Sequence, residues 1–367
     1  MNYRRTKAMA RKEFLHIIRD PRSLAMALAV PMMMLLLFSY ALSLDVDRIP
    51  TIVYDQDGSP QSRDVTARFT GSRYFNVIAL ARGYKEVERA IDQGECIVAI
   101  VFPSDFSNRL RASKPTSVQI LLDGTDSNTA SIAMAYAESI IGGYSMELVH
   151  RTPPVEARIR VWYNTDLKSR NFIIPGLVAV ILMIIASLLT SLTIAREWEN
   201  GTMEQLLSTP LRPVEIVTGK LAAFFILGVA DSIISIVSAV FVFDVPLRGN
   251  IVFLGVTTGI FLVGVLSWGL LISSVAKTQL MAYQMGLLSS FLPGFLLSGF
   301  IYSIDNMPVV IQVITHIVPA RYFVTMLKAI FLKGVGLEVL WGELLFLLAY
   351  AAIVATLATR TLKKKVA

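Results

Sequence analysis

Cysteine is nearly absent: Cys96 is the only one in 367 residues, which excludes an internal disulfide, a CxxC redox pair and a thiolate metal cluster. Histidine is scarce as well, and His16, His150 and His316 lie in separate regions with no His-Glu-x-x-His pair. A phosphate-binding Gly-x4-Gly-Lys-Ser/Thr loop is missing; Gly219-Lys220 is followed by Leu221 and has no upstream glycine, so the chain does not itself cradle a nucleotide. No Gly-x-Ser-x-Gly elbow occurs either, and no catalytic residue is expected. Asp55-Gln56-Asp57-Gly58 and Asp123-Gly124-Thr125-Asp126 follow strand-like stretches but do not complete a calcium loop, so both read as turns and no metal site is expected. Charge is thin too: 17% of residues are charged against 54% hydrophobic, which excludes an ordinary soluble domain.

What fills the chain instead is apolar runs of roughly the 20 residues needed to cross a bilayer. They fall at Leu24 to Leu44, Phe172 to Ile194, Leu221 to Phe243, Ile251 to Val275, Leu280 to Ile304 and Leu340 to Thr359. About six transmembrane helices are expected. Cations mark the cytoplasmic side: Arg4, Arg5, Lys7, Arg11, Lys12, Arg19 and Arg22 precede the first run, and Arg360, Lys363, Lys364 and Lys365 follow the last. Both termini are therefore expected inside, with 45–171 and 305–339 outside and 196–220 inside. The net charge of +7 is mostly this bias, and the cations form no face interleaved with aromatics, so nucleic acid is not an expected partner. The first run is too long for a signal h-region, and Leu44-Asp45-Val46-Asp47 is not a cleavage site, so it reads as a retained anchor.

Segment 45–171 has a different texture. Strands are expected at Ile49–Tyr54, Tyr74–Ala81, Cys96–Phe102, Ser117–Leu122 and Arg158–Tyr163, and helices at Gln61–Thr70, Tyr84–Gln93, Asp105–Ala112 and Ser127–Val149. Cys96–Phe102 is a continuous apolar run bounded by Gly94 and Pro103, the pattern of a strand buried on both faces. Such alternation predicts an α/β domain. The expected fold is thus a polytopic α-helical membrane protein with an α/β extracytoplasmic domain inserted between helices 1 and 2. The expected layout is a cytoplasmic interfacial helix at 1–22, a first span at 23–44, the domain at 45–171, helices 2–6 at 172–359 and a basic tail at 360–367.

Between the second and third apolar runs stands a polar island, Ala195 to Leu211. Glu197, Glu199 and Glu204 suit the positive end of a short helix, Leu206 and Leu207 give it an apolar edge, and Pro210 and Pro213 end it. Composition alone allows either a well-capped solvated loop or a lever for a partner protein.

The run Arg196-Glu197, Glu199, Gly201-Thr202-Met203-Glu204-Gln205-Leu206-Leu207-Ser208-Thr209-Pro210-Leu211, with Gly219-Lys220-Leu221 after it, resembles the cytoplasmic loop of type-2 ATP-binding-cassette (ABC) exporter permeases. Arg11-Lys12-Glu13-Phe14 with Arg19-Asp20-Pro21-Arg22 resembles that family's interfacial helix, and Ser298 to Pro308 with Pro319-Ala320-Arg321-Tyr322-Phe323 resembles the segment before its last span. The resemblance implies a permease half that pairs with a second permease chain, identical or related, and docks on a separate ABC ATPase subunit. No cofactor would bind to this chain; ATP and Mg would sit on the ATPase. Arg196, Glu197, Glu199, Gly201, Thr202 and Glu204 at 196–211, helped by Arg19, Asp20 and Arg22, would form the coupling surface. The large outside domain resembles the Gram-negative subgroup of the inner membrane, often found beside a membrane-fusion adaptor and an outer-membrane channel.

Asp231 is the one acid well inside an apolar run, with Ser235 and Ser238 one and two turns beyond it. It reads either as a contact on a substrate or proton path or, more plainly, as hydrogen-bond glue between helices. Segment 305–338 is apolar for a loop, and Pro319 divides it into two short helices, so it reads as re-entrant. There His316 and Arg321 can face substrate or pair with neighbours. Three function classes follow: an exporter permease with multidrug-type efflux, a force-transmitting subunit of a tripartite pump with no path of its own, and an ATPase-independent transporter or anchor.

Overall fold

The computed structural model describes residues 2–41, 47–112, 114–125, 127–149, 163–164, 168–276 and 278–366. The elements run α1 (Tyr3–Arg19), α2 (Pro21–Ala41), β1 (Ile49–Asp55), α3 (Pro60–Gly71), β2 (Phe75–Leu80), α4 (Tyr84–Asp92), β3 (Val98–Phe102), α5 (Phe106–Arg111), β4 (Gln119–Leu122) and α6 (Ser127–Val149). They continue with α7 (Ser169–Glu199), α8 (Thr202–Leu207), α9 (Pro213–Phe241), α10 (Ile251–Val275), α11 (Gln279–Leu296), α12 (Val309–Thr315), α13 (Pro319–Lys328) and α14 (Leu337–Val366). Two compact units divide the chain: Leu44–Arg160 on one hand, and Met1–Ser43 with Val161–Ala367 on the other.

The Leu44–Arg160 unit is α/β. Its sheet has the order β2-β1-β3-β4, parallel between β1 and its two neighbours and antiparallel between β3 and β4. Every residue of β3 is buried because both faces of the sheet are covered, as its unbroken apolar run requires. On one side Val98, Ile100 and Phe102 pack with Phe69 of α3, Phe106 of α5 and Ala133 and Ala137 of α6; on the other, Ala99 packs with Val87 and Ala90 of α4 and with Cys96. Cys96 is a free thiol, and burial pushes its pKa up, so it is an inert core residue and not a nucleophile. Both Asp-Gly segments are local turns. Asp55 Oδ1 accepts the N–H groups of Asp57 and Gly58, and Asp123 Oδ1 accepts the N–H and the hydroxyl of Thr125. No cluster of three potential metal-binding side chains exists among the described residues. The expected strand at Arg158–Tyr163 falls, apart from Tyr163, outside the described residues.

In the other unit, four helices are long and apolar enough to cross a membrane: α7, α9, α10 and the stretch Leu337–Leu362 of α14. A fifth crossing results if α12 and the helix from Pro319 to Lys333, bent 83° apart, count as one broken span. The first expected span corresponds to α2, whose 21 residues run Pro21–Ala41, whereas the fifth is shorter than anticipated, because α11 stops at Leu296. Pro293, lying inside α11 just before that end, cannot donate a backbone hydrogen bond. The core is built around α7, in which Ile173 to Ala186 are all buried. Helices α2, α9, α10, α11 and α13 pack on it. The outer helices expose large apolar side chains such as Phe241, Val252 and Trp341, as suits a surface facing hydrocarbon.

Candidate functional site

The site begins on α1, where Met9, Glu13 and Ile17 recur every four residues and form its buried stripe. The stripe lies against the start of α9, which can come close because residue 219 is glycine; a Cβ there would stand 2.7 Å from the Met9 side chain. An acid in an apolar stripe needs a partner, and it has one. Lys220 Nζ donates to Glu13 Oε1 at 3.1 Å, and the Lys220 side chain is only 1% exposed.

The end of α7 completes the arrangement. Lys220 Nζ stands 3.1 Å from Glu197 Oε2, an ion pair without hydrogen-bond alignment, while Lys12 Nζ donates to Glu197 Oε1 at 2.7 Å and to Glu13 Oε1 at 2.9 Å. Two cations and two anions from three helices thus form a closed square. Burial by itself would raise the pKa of Glu13, but the ammonium groups of Lys220 and Lys12 outweigh it and hold the carboxyl below its ordinary range. For Lys12 desolvation works downward, yet hydrogen bonding and attraction from Glu197 and Glu13 leave its pKa raised. Both shifts favour the charged pair.

Other residues of the polar island tie the same end to further helices. Glu199 Oε2 accepts the N–H of Gln279, the first residue of α11, at 2.7 Å, and Arg196 Nε donates to Gln279 Oε1 at 3.3 Å. Ser273 Oγ on α10 accepts the N–H groups of Ile194 and Ala195. Gly201, at φ +70°, then turns the chain into α8 through the left-handed conformation that glycine tolerates. Thr202 follows as the first residue of α8 and Met203 is the buried anchor; Glu204 is exposed and its side chain bonds to none of the described residues. Of the acids expected to face a partner, Glu197 and Glu199 are therefore engaged within the chain, and Glu204 is free.

Arg19 ends α1 exposed, and Asp20 caps it through backbone bonds to His16 and Ile17. The side chain of Arg22 lies outside the described residues. A cleft of about 580 Å³ opens between α1, α7, α8 and α9, with Lys12, Glu13, Arg196 and Glu197 among its polar wall residues and Leu189, Leu192, Phe224 and Leu227 among its apolar ones.

The residues expected on a substrate path do not gather in one place. Asp231, Ser235 and Ser238 are buried on one face of α9. Ser238 Oγ lies 3.2 Å from Met32 Sδ of α2 and so joins two helices, whereas Asp231 Oδ1 and Ser235 Oγ have no hydrogen-bond partner among the described residues. His316 and Arg321 belong to the bend between α12 and α13. Arg321 Nη1 donates to Thr315 Oγ1 at 2.5 Å, His316 Nδ1 lies 2.9 Å from Gln312 O, and neither residue lines the cleft.

Sequence reasoning passed over Lys12, Glu13 and Lys220 as individual residues. The available signal was the spacing Met9-Glu13-Ile17, an acid inside an apolar stripe, and a lysine at the edge of a long apolar run.

Comparison with known proteins agrees with this architecture. A family model described as "ABC-2 family transporter protein" matches residues 21–360. The chain is 35% identical to the probable multidrug ABC transporter permease YbhS of Escherichia coli (strain K12), over 96% of this chain and 95% of that protein. To the probable multidrug ABC transporter permease YbhR of the same strain it is 32% identical, over 99% and 100%. Similarity to the inner membrane transport permease YhhJ of that strain is 29% identity, over 77% and 76%. The chain belongs to the ABC-2 transporter family and is a multi-pass permease subunit of an ABC exporter. A permease of this family works with an ABC ATPase and a second permease chain.

Proposed function

We propose that this chain couples ATP hydrolysis on a partner ATPase to efflux of small, drug-like or lipid-like molecules across the inner membrane, and that α8 is the element on which the ATPase pushes. The observation that carries this reading is the unpaired, outward Glu204 on a short helix whose base is fastened by the Lys12–Glu13–Glu197–Lys220 square. A push on α8 would reach α1, α7 and α9 together through buried charge pairs, instead of being absorbed by a loose loop. The cation-rich ends support placing both termini and α8 in the cytoplasm, which puts 45–171 on the opposite side as an extracytoplasmic domain. In this reading ATP and Mg bind only to the ATPase, the second permease is a homologous or identical chain, and the outer domain meets a membrane-fusion adaptor leading to an outer-membrane channel. Multidrug efflux follows from the names of YbhS and YbhR.

The test is Glu204→Arg in the assembled complex. Co-purification of the ATPase and stimulated turnover should both fall about tenfold, the effect of losing one interfacial charge contact of roughly 1.4 kcal/mol, with the permease still monodisperse. Unchanged association and turnover would remove α8 as the coupling element.

A further inference from the structure

A water-sized void of about 10 Å³ lies where α2, α7, α9 and α10 meet, and Asp231 is the sole charged residue on its wall; the rest, Leu182, Leu262 and Leu266 among them, are apolar. Asp231 is 3% exposed and its Oδ1 has no hydrogen-bond partner. A role as glue between helices needs a partner on another helix, and none is present among the described residues. A carboxyl at that depth without a partner either rests uncharged or takes its counter-charge from a bound group, and is a functional-site candidate by default.

The void adjoins the cleft. Leu189, Phe224 and Leu227 line both this void and the 580 Å³ cleft, so the shared wall between Asp231 and the cleft consists of apolar side chains. At the cleft's polar end Lys12 and Lys220 are matched to Glu13 and Glu197, and Asp20 and Arg196 also line the cleft; in the void Asp231 has no cation beside it among the described residues.

We propose that cleft and void together bind an amphipathic primary amine in its protonated form. The ammonium group meets Asp231, and the apolar body lies along Leu189, Leu192, Phe224 and Leu227. Size selects the head group: a void that holds one water admits an –NH3+ group but not a bulky phosphonium or quaternary centre. Charge selects its sign. As a substrate class this rests on the export reading, although binding itself requires no ATPase.

The probe is monodansylcadaverine, a primary amine with an apolar fluorophore, titrated by anisotropy against the full-length permease in phosphatidylcholine nanodiscs; its N-acetyl derivative is the uncharged control. Saturable binding is expected, weakened roughly 30-fold or more by Asp231→Asn, as for loss of one partner of a buried charge pair, and largely kept by Asp231→Glu. Leu227→Trp, which thickens the shared apolar wall between cleft and void and leaves Asp231 intact, should abolish it, and this variant decides the matter if Asp231→Asn does not fold. The acetylated probe should not distinguish wild type from Asp231→Asn. Wild-type affinity in a folded Asp231→Asn, wild-type affinity in Leu227→Trp, or equal binding of the acetylated probe would overturn the proposal. ATPase co-purification and turnover are followed in the same preparations: no saturable amine binding by the wild type with coupling intact refutes this site alone, and coupling absent in the wild type refutes the export reading.

Discussion

Lys220 shows how burial changes what a charge is worth. Its two acidic partners are themselves largely shielded, with Glu13 at 5% and Glu197 at 12% side-chain exposure, whereas Lys12 is 53% exposed. Removing one member of a buried ion pair strands the others and costs about 3–5 kcal/mol, while an exposed partner contributes about 1 kcal/mol or less. Lys220→Met should therefore lower the unfolding midpoint of the permease far more than Lys12→Ala, as read by thermal denaturation in detergent. Because the Glu13 pKa is lowered in the folded state, its stabilisation is complete above the unfolded glutamate value of about 4.3 and is lost as pH falls through the lower folded one. The raised Lys12 has the opposite sign: its contribution is present below about 10.4 and fades as pH climbs through the higher folded value. Protection of the Arg11 and Lys12 backbone from protease should hold between those limits and fail outside them.

At the scale of elements, helix spacing is set by where glycine stands. On α10, a Cβ at Gly269 would run into the Thr190 side chain and the Ser187 carbonyl of α7, whereas one at Gly255 on the same helix meets nothing within 4 Å. Gly269→Ala should cost about 1–3 kcal/mol through overpacking, and Gly255→Ala should be neutral or stabilise by up to about 1 kcal/mol through helix propensity; thermal midpoints of the two purified variants separate these outcomes. The bend after α12 has a similar local origin. Pro319 begins α13, and the free backbone groups at the corner are used by side chains: Arg321 reaches Gln312 O and Tyr322 donates its hydroxyl to His316 O. The segment is thereby held bent, which accounts for His316 and Arg321 as parts of a corner.

For the whole molecule, the Leu44–Arg160 unit has its own two-sided core, so expressed alone it should unfold cooperatively in urea. Ile100→Ala, at a fully buried central strand position, should lower its stability by about 2–5 kcal/mol, and a non-cooperative wild-type fragment would show that the core is not self-sufficient. The membrane class and the α/β texture of the inserted segment were legible from the chain, because run length and alternation are local properties that survive any packing. The α/β elements were legible for the same reason: Cys96–Phe102 announces a strand covered on both faces whatever covers it. The end of the fifth span was less so: its apolar run continues to Ile304, but α11 stops at Leu296. Partner choice among charges was not legible. Glu13 and Lys220 are 207 positions apart, and only the packing of α1 on α9 beside the end of α7 decided that they meet, that Glu199 caps α11, and that Glu204 stays free. Hydropathy by itself determined that this protein spans a membrane; tertiary structure decided which of its acids are paired inside and which face outward, because an ion pair depends on side-chain reach between helices that the linear order does not contain.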